Sequence, residues 1–585
     1  MQQRRVYILF ASFLIWSLLV WARFFYWQVV LGDKLARAES QQAVNLTYQV
    51  TPRGEIYSAD EAPLVLNEPR FDLYAWKPVL QTSPAELISQ IEAYIVVESR
   101  PDFKKLEEAS DSGEQEEKVI EEEVATWQEK ALERLKDEDQ DWVLLKKHLK
   151  QEEAESVEAL GIKGLFLQED YARFYPEASA SAHLLGFLGR DNSGKPNGYC
   201  GLEGFYNRQL QGQSQLIMEK RGWWNKIQDV FISSNNQKGR DLVLFLDRAV
   251  QFILEEELEE GVERYRAASG WAVVMDPYSG GILGMASFPK YDPFYYYEFD
   301  QELFPNPVVA KHFEPGSIFK PLIAAAALEE GVIDLKDKCP ICEGPLTVAD
   351  YQIKTSAGEY FPESTLKDIL VHSDNVGMVW VGQSLGLEKT KEYLEKLNLG
   401  KKTGIDLEEE ALLGLKEGRK WYPIDLATVS FGQGIALTPI QMISAFAPLA
   451  NGGSWVKPRM VKKVRQAEGE LEIPTESHQV FDKKTTDTIK ELLVAVVDQG
   501  DARRSKLTQH MVAGKTGTAQ IALEGEYDED KTIGSFIGFA PADNPRFLML
   551  VSLQEPSVST WGADTATPIW FKMAQRLFNY WSIEP

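Results

Sequence analysis

The stretch Glu314-Pro315-Gly316-Ser317-Ile318-Phe319-Lys320-Pro321 decides how this chain is read. It sets a serine and a lysine three residues apart, on one face of a helical turn. Pro315 and Gly316 punctuate the chain just before the serine, as a loop running into a helix does. Ile323-Ala-Ala-Ala-Ala-Leu328 follows, a run of strong helix formers. Ser317 is therefore expected at a helix N-terminus, where backbone N–H groups and the positive end of the helix dipole favour a developing oxyanion. Lys320, one turn on, can take the serine proton if burial or a neighbouring cation keeps it neutral. Pro321 loses little in a first turn, where most N–H groups have no intrahelical partner. Alone the pair says little, because Ser-x-x-Lys arises by chance about once in a couple of hundred positions.

Two further groups follow in order. His372-Ser373-Asp374-Asn375-Val376-Gly377 begins its Ser-x-Asn 56 residues after Ser317, and Gly514-Lys515-Thr516-Gly517-Thr518 begins its Lys-Thr-Gly 142 residues after Ser373. Each has an ordinary reading. Ser373 and Asn375 could cap a helix. Lys515 could be a charge guarding a sheet edge, and Thr516 and Thr518 could be plain strand formers. Their order is what carries weight.

The chain has 585 residues, so two or three domains are expected. A hydrophobic share of 44%, with 15 Trp, 22 Tyr and 28 Phe, supports sizeable cores. A net charge of −26 argues against nucleic-acid binding, which needs a basic surface. Three cysteines are too few for a disulfide scaffold or a four-thiolate zinc site. Cys339-Pro-Ile-Cys342 could be a small disulfide or two thiols in a loop. The six histidines show no metal-ligand spacing, so no metal is expected.

Arg4 and Arg5 precede an uncharged run from Val6 to Ala22, followed by Arg23 and the aromatics Phe24 to Trp27. We read residues 1–5 as a short cytoplasmic tail and 6–30 as an uncleaved transmembrane anchor, with the rest of the chain outside. Residues 31–239 form a distinct mixed region containing Arg53-Gly54-Glu55, Arg173-Phe-Tyr175-Pro176 and Gly201-Leu-Glu203, with no chemistry of its own. Within it, Glu107–Asp139 holds 14 acidic and 4 basic residues and reads as a solvated helix or disordered insertion.

Residues 240–585 read as an α+β domain. Asp247 is placed to cap a helix over Arg248–Tyr265. Gly270–Asp276 and Gly281–Ser287 are expected to form a hairpin around Pro277-Tyr-Ser-Gly280. A long helical stretch follows from Ser317 to Ala450. Strands return at Val512–Ile521, Thr532–Ala540 and Phe547–Leu553, before a closing helix over Thr567–Trp581. The sum is a five-stranded antiparallel sheet, split in sequence, with a helical lobe between its halves.

The three motifs in this order resemble the active-site serine penicillin-recognising enzymes. The likeness extends to Asn306, to Thr403-Gly-Ile-Asp-Leu407, to Ser430-Phe-Gly-Gln-Gly434 with Thr438-Pro-Ile-Gln441, and to Asn451-Gly-Gly453. The anchor and the 31–239 segments are similar to the amino-terminal pedestal, or dimerisation-type domain, of class B penicillin-binding proteins. Glu107–Asp139 departs from that pattern. The resemblance implies a membrane-bound peptidoglycan D,D-transpeptidase that needs no cofactor. It joins a D-Ala–D-Ala donor stem peptide to an acceptor amine, releases D-alanine and binds β-lactams covalently. Ser317 would be the nucleophile, Lys320 the base and Ser373 the proton relay. Asn375 would hold the peptide, and Lys515, Thr516, Gly517 and Thr518 would receive the terminal carboxylate. The backbone N–H groups of Ser317 and Thr518 would form the oxyanion hole.

Ser373-x-Asn375-Val376-Gly377 looks more like the division-type subgroup than the elongation-type one. A β-lactamase or D,D-carboxypeptidase fits the pedestal and anchor less well, and Glu395-Lys-Leu-Asn398 is only a superficial match to a deacylating motif. Five residues before the span leave no room for a β-lactam sensor's signalling domain. No glycosyltransferase domain is visible in residues 30–240, so a membrane glycan polymerase is the expected partner. A catalytically silent scaffold of the wall-synthesis machinery is the non-enzymatic alternative.

Overall fold

The computed structural model describes residues 2–31, 44–49, 51–95, 127–137, 141–191, 195–212, 215–221, 227–232, 238–355, 358–415, 421–506, 509–523 and 526–585. The chain forms two compact units. One holds residues 1–53, 69–171 and 212–239; the other holds 54–68, 172–211 and 240–585. Short segments from inside the 31–239 region thus fold with the C-terminal unit.

The first unit begins with helix α1 (Gln2–Phe25), continued by a wider turn over Tyr26–Val30. Its Ile8–Phe25 window has a mean hydropathy of 2.0 and none of it is buried, so by length and composition it can cross a membrane. It runs a little beyond the Val6–Ala22 core read from sequence because Arg4, Arg5 and Arg23 are all compatible with helix. Elsewhere in this unit the strands β1 (Pro63–Trp76, from residue 69 onward), β2 (Trp142–Leu149) and β3 (Leu165–Phe174, up to residue 171) lie side by side, with β1 in the middle. Leu73, Ala75, Val143 and Leu145 point from them into a core closed by helices Pro84–Glu92 and Gln151–Ala159. Of the acidic stretch, 127–136 is helix; 107–126 and 138–139 lie outside the described residues.

In the second unit, α2 (Arg248–Tyr265) starts where Asp247 accepts hydrogen bonds from Ala249 N and Val250 N. Strands β4 (Ser269–Met275) and β5 (Ile282–Phe288) form the expected hairpin. Helices α3 (Lys320–Glu329) and α4 (Asn375–Leu385) belong to the helical lobe. The late strands are β6 (Ala513–Leu523), β7 (Glu526–Ala540) and β8 (Phe547–Gln554), closed by α5 (Ala566–Tyr580). The sheet order is β5-β4-β8-β7-β6, antiparallel throughout. Both faces are covered. Trp271, Val273 and Met275 face the helical lobe, and Ala272 and Val274 face α2 and α5. That is why β4 reads as an unbroken apolar run rather than an alternating one.

The helical stretch expected from Ser317 to Ala450 is divided into separate helices, among them Leu366–Val371, Leu387–Lys396, Pro423–Val429 and Pro439–Asn451, and it also contains strands. Leu346–Val348 and Tyr351–Ile353 form a small hairpin. Next to it, Cys339 and Cys342 are both buried and joined as a disulfide, which answers the question left open by their spacing.

Candidate active site

Ser317 sits in a 3-10 turn, Gly316–Phe319, and the α-helix begins at Lys320. The serine is thus just ahead of α3 rather than inside its first turn. Gly316 adopts φ +57, and a Cβ there would approach Thr518 O to 3.1 Å, so only glycine seats this turn against β6 comfortably. Its N–H donates to Gly432 O at 2.9 Å, which places the Ser430–Gly434 segment behind Ser317. Gly517 faces the turn from the strand side; a Cβ on it would come within 2.8 Å of Ile318 Cγ2. The glycine of Lys-Thr-Gly is therefore a close-approach residue.

Lys320 to Ala327 are all buried, and four successive alanines let α3 run through the middle of the lobe. Lys320 is carried in with them, at 0% exposure. Its Nζ donates to Ser373 O at 2.5 Å, Asn375 Oδ1 at 2.8 Å and Ser373 Oγ at 3.2 Å. Burial, and then the charge of Lys515, hold its pKa well below the usual lysine value, against a smaller opposing pull from Asp374. This supplies the burial that the sequence did not reveal.

Ser373 is not the cap of α4. Asp374 takes that place, accepting from Val376 N at 2.8 Å, and Asn375 is the first helical residue. Ser373 lies just before it with φ +54, a conformation that is uncommon for a residue with a side chain. Its hydroxyl donates to Ser317 Oγ at 2.9 Å and receives Lys515 Nζ at 3.0 Å. Lys515 is on the edge strand β6, yet it is 1% exposed, so it does not act as a solvent-facing guard of that edge. Burial pushes its pKa down to about 8, while Asp501 pulls the other way. Asn375 Nδ2 donates to Lys354 O at 3.0 Å, tying α4 to the end of the small hairpin.

All eight residues singled out by sequence meet here. Ser317, Ser373, Asn375, Thr516, Gly517 and Thr518 line one cleft, with Lys320 and Lys515 buried beside them. The cleft has walls the sequence did not mark: Phe431 and Gln433 from the segment behind Ser317, then Asp501, Trp561 and Ala563. Phe431 and Gln433 stood within Ser430–Gly434, which was quoted without a role. Asp501 and Trp561 carried no local signal. Asp501 opens the 3-10 turn Asp501–Ser505, and the Trp561 loop is tied to β6 by Gly562 N donating to Thr518 Oγ1 at 3.0 Å.

The family model for the penicillin binding protein transpeptidase domain matches residues 270–575, and the one for the penicillin-binding protein dimerisation domain matches 48–244. The chain belongs to the class B penicillin-binding proteins. It is a peptidoglycan D,D-transpeptidase by family. Stage V sporulation protein D of Bacillus subtilis is 31% identical over 579 residues, covering 97% of this chain and 84% of that one. The peptidoglycan D,D-transpeptidase FtsI of Escherichia coli is 28% identical over 448 residues, 76% of this chain and 73% of its own. Among solved structures, penicillin binding protein 2X from Streptococcus thermophilus has the same fold with a TM-score of 0.71 at 20% identity, covering 92% of this chain and 80% of that one. Penicillin binding protein 3 from Mycobacterium tuberculosis, complexed with aztreonam, gives 0.68 at 22% identity, covering 92% and 98%.

Three segments of this class B protein that had shown no chemistry also come together in the second unit. Arg173 donates to Glu203, to Asn67 Oδ1 at 2.9 Å and to Gly54 O at 2.6 Å, and its side chain and that of Glu203 are 3% and 0% exposed. Gly54, Asn67, Arg173 and Glu203 thus mark a buried structural joint within the second unit.

Proposed function

We propose that this class B penicillin-binding protein is anchored by α1 and cross-links stem peptides outside the membrane through an acyl-enzyme on Ser317, in septal wall synthesis. The observation carrying the reading is the single hydroxyl of Ser373 set between the nucleophile and two buried lysines. In its ammonium form Lys320 donates to three acceptors. When neutral it has two N–H groups and one lone pair, so one of those contacts must reverse. Ser373 Oγ is the hydroxyl among them that can turn and donate. Ser317 Oγ then passes its proton to Ser373 Oγ, and Ser373 passes its own to Lys320 Nζ, as Ser317 attacks the carbonyl of the penultimate D-alanine.

The Ser317 and Thr518 N–H groups take the oxyanion. Losing one such donor typically costs about 3–4 kcal/mol of transition-state stabilisation. Reversal of the relay protonates the departing D-alanine nitrogen as the C–N bond breaks. The ester on Ser317 is opened by the acceptor amine, whose proton leaves by the same route. Lys515 supplies the positive charge for the donor's terminal carboxylate, with Thr516 and Thr518 adding hydrogen bonds across Gly517. Asn375 orients Lys320 through Oδ1 and lines the donor cleft. The N–Val–Gly continuation after Ser373 supports the division-type assignment, and a membrane glycan polymerase provides the strands to be joined.

The test is covalent labelling of the full-length protein with a fluorescent penicillin, followed by mass mapping of the adduct. A single adduct on Ser317, absent from Ser317→Ala and slow to hydrolyse, is the expected result. Labelling that survives Ser317→Ala sinks the nucleophile assignment, rapid release of hydrolysed penicillin favours a β-lactamase, and growth supported by Ser317→Ala alone favours a scaffold.

A further inference from the structure

The histidines show no metal-ligand spacing along the chain, but the first unit folds one of them against two carboxylates. Asp72 on β1, His148 on β2 and Asp170 on β3 bring one ligand atom each to within 4.8 Å of one another. The three are far apart in sequence and stand on three adjacent strands of one sheet, so their meeting is a product of strand register and not of a solvated charge run.

The register shows how. Phe71 pairs with Leu149 and Leu73 with Lys146, so Asp72 alone faces both Lys147 and His148. That is a β-bulge, a device that re-aims a side chain. His148 takes φ +56 within it and donates its N–H to Asp72 Oδ1 at 3.0 Å. Its ring Nε2 comes to 3.9 Å from Asp170 Oδ2. Asp72 is only 5% exposed, whereas the His148 and Asp170 side chains are 42% and 21% exposed. The buried carboxylate is thus fixed, while the other two groups are reachable from solvent.

We propose that Asp72, His148 and Asp170 form a binding site for a divalent transition-metal ion, with Zn2+ the best fit, that clasps the three strands together. One imidazole nitrogen and two carboxylate oxygens suit Zn2+, with water in the remaining position; bonds of about 2.0–2.2 Å require the ligand atoms to draw roughly 1 Å closer than they stand. The imidazole disfavours Mg2+ and Ca2+, which prefer oxygen. Two carboxylates this close repel, and a cation between them removes that repulsion. The rival arrangement is a plain ion pair, with a protonated His148 serving Asp170 and no metal.

The experiment uses the full-length, metal-stripped protein and Zn2+ alone, read by competition with a chromophoric chelator at neutral pH. Wild type is expected to bind one equivalent, unaffected by millimolar Mg2+, and to gain thermal stability from it. His148→Ala and Asp170→Asn, both at partly exposed positions, are expected to weaken binding at least about tenfold and to lose the Zn2+-dependent rise in Tm. Both variants should acylate with penicillin at the wild-type rate, which separates this site from Ser317 and its neighbours. Absence of one-equivalent binding in wild type, or equal affinity in both variants, overturns the proposal. So does a Tm that falls in His148→Ala with no response to Zn2+ in any form, which is the ion-pair outcome.

Discussion

Ser373 donates its hydroxyl proton to Ser317 Oγ across 2.9 Å, from a backbone held at φ +54. Such a conformation is uncommon for a non-glycine residue and persists only where its surroundings demand it. Here Lys320 Nζ binds both the carbonyl and the hydroxyl of Ser373, so the lysine fixes the backbone that aims this hydroxyl at Ser317. Replacing Ser373 by alanine removes the bridge and leaves Ser317 in place. Acylation by penicillin is expected to slow about 10²–10³-fold, in the range of a lost general acid–base group, with the adduct still forming on Ser317. Time-resolved labelling measures this, and an unchanged rate would remove Ser373 from the proton path.

The two lysines set a pH dependence of definite sign. The proposed relay needs Lys320 neutral for acylation, and burial together with Lys515 brings its pKa well below the ordinary lysine value. The rate should therefore rise with pH through that lowered pKa. It also needs Lys515 charged, and Lys515 is held down to about 8, so the rate should fall again above about that pH. The limbs belong to the interacting pair rather than to either residue alone. Asp501 is the group that favours the charged form of Lys515, so Asp501→Asn should move the alkaline limb to lower pH. Lys515→Arg should move it upward, because a guanidinium stays charged. A pH series of second-order acylation rates tests the signs; an alkaline limb that does not respond to either substitution refutes the assignment.

The buried joint between Arg173 and Glu203 makes a prediction about stability. Arg173→Ala leaves Glu203 at 0% exposure without its guanidinium, and should destabilise the fold by about 3–5 kcal/mol. Arg173→Lys should recover little, since one ammonium cannot reach Glu203, Asn67 and Gly54 together. Replacing both partners, as Arg173→Met with Glu203→Leu, should cost less than Arg173→Ala alone, because no buried charge is stranded. Denaturant unfolding of the three variants measures the order, and a double variant worse than the single one would contradict it.

Much of the site was legible because its residues sit in short, rigid groups. Ser-x-x-Lys occupies one helical turn, Ser-x-Asn leads into α4, and Lys-Thr-Gly runs along one strand. The glycines at 316 and 517 were visible as letters, but their reason, the close passage of the turn and β6, was not. Lys320 gave no sign of its lowered pKa, since that depends first on burial inside the lobe and then on Lys515 arriving from a distant strand. Asp501 and Trp561 are walls supplied by a 3-10 turn and a loop with no motif. The strands and helices of the C-terminal unit followed from periodicity and capping. The inclusion of 54–68 and 172–211 in that unit did not, because membership is decided by pairings such as Leu242 with Ile56 that no local pattern encodes. Cys339 and Cys342 could be read either way until the fold buried them together.

The split sheet carries a consequence for how the molecule is made. β4 and β5 emerge from the ribosome long before β8, the strand that separates β4 from β7. Until Phe547–Gln554 has been synthesised, β4 has hydrogen-bonding partners along one edge only, and α5, which helps cover Ala272 and Val274, does not yet exist. Such an open edge is a template for pairing with other chains, and its closure depends on contacts of long sequence separation. The nascent transpeptidase unit is therefore obliged to remain unfinished, and exposed to aggregation, almost to its last residues. A chain cut short before β8 cannot complete the edge next to β4, whatever the state of its serine.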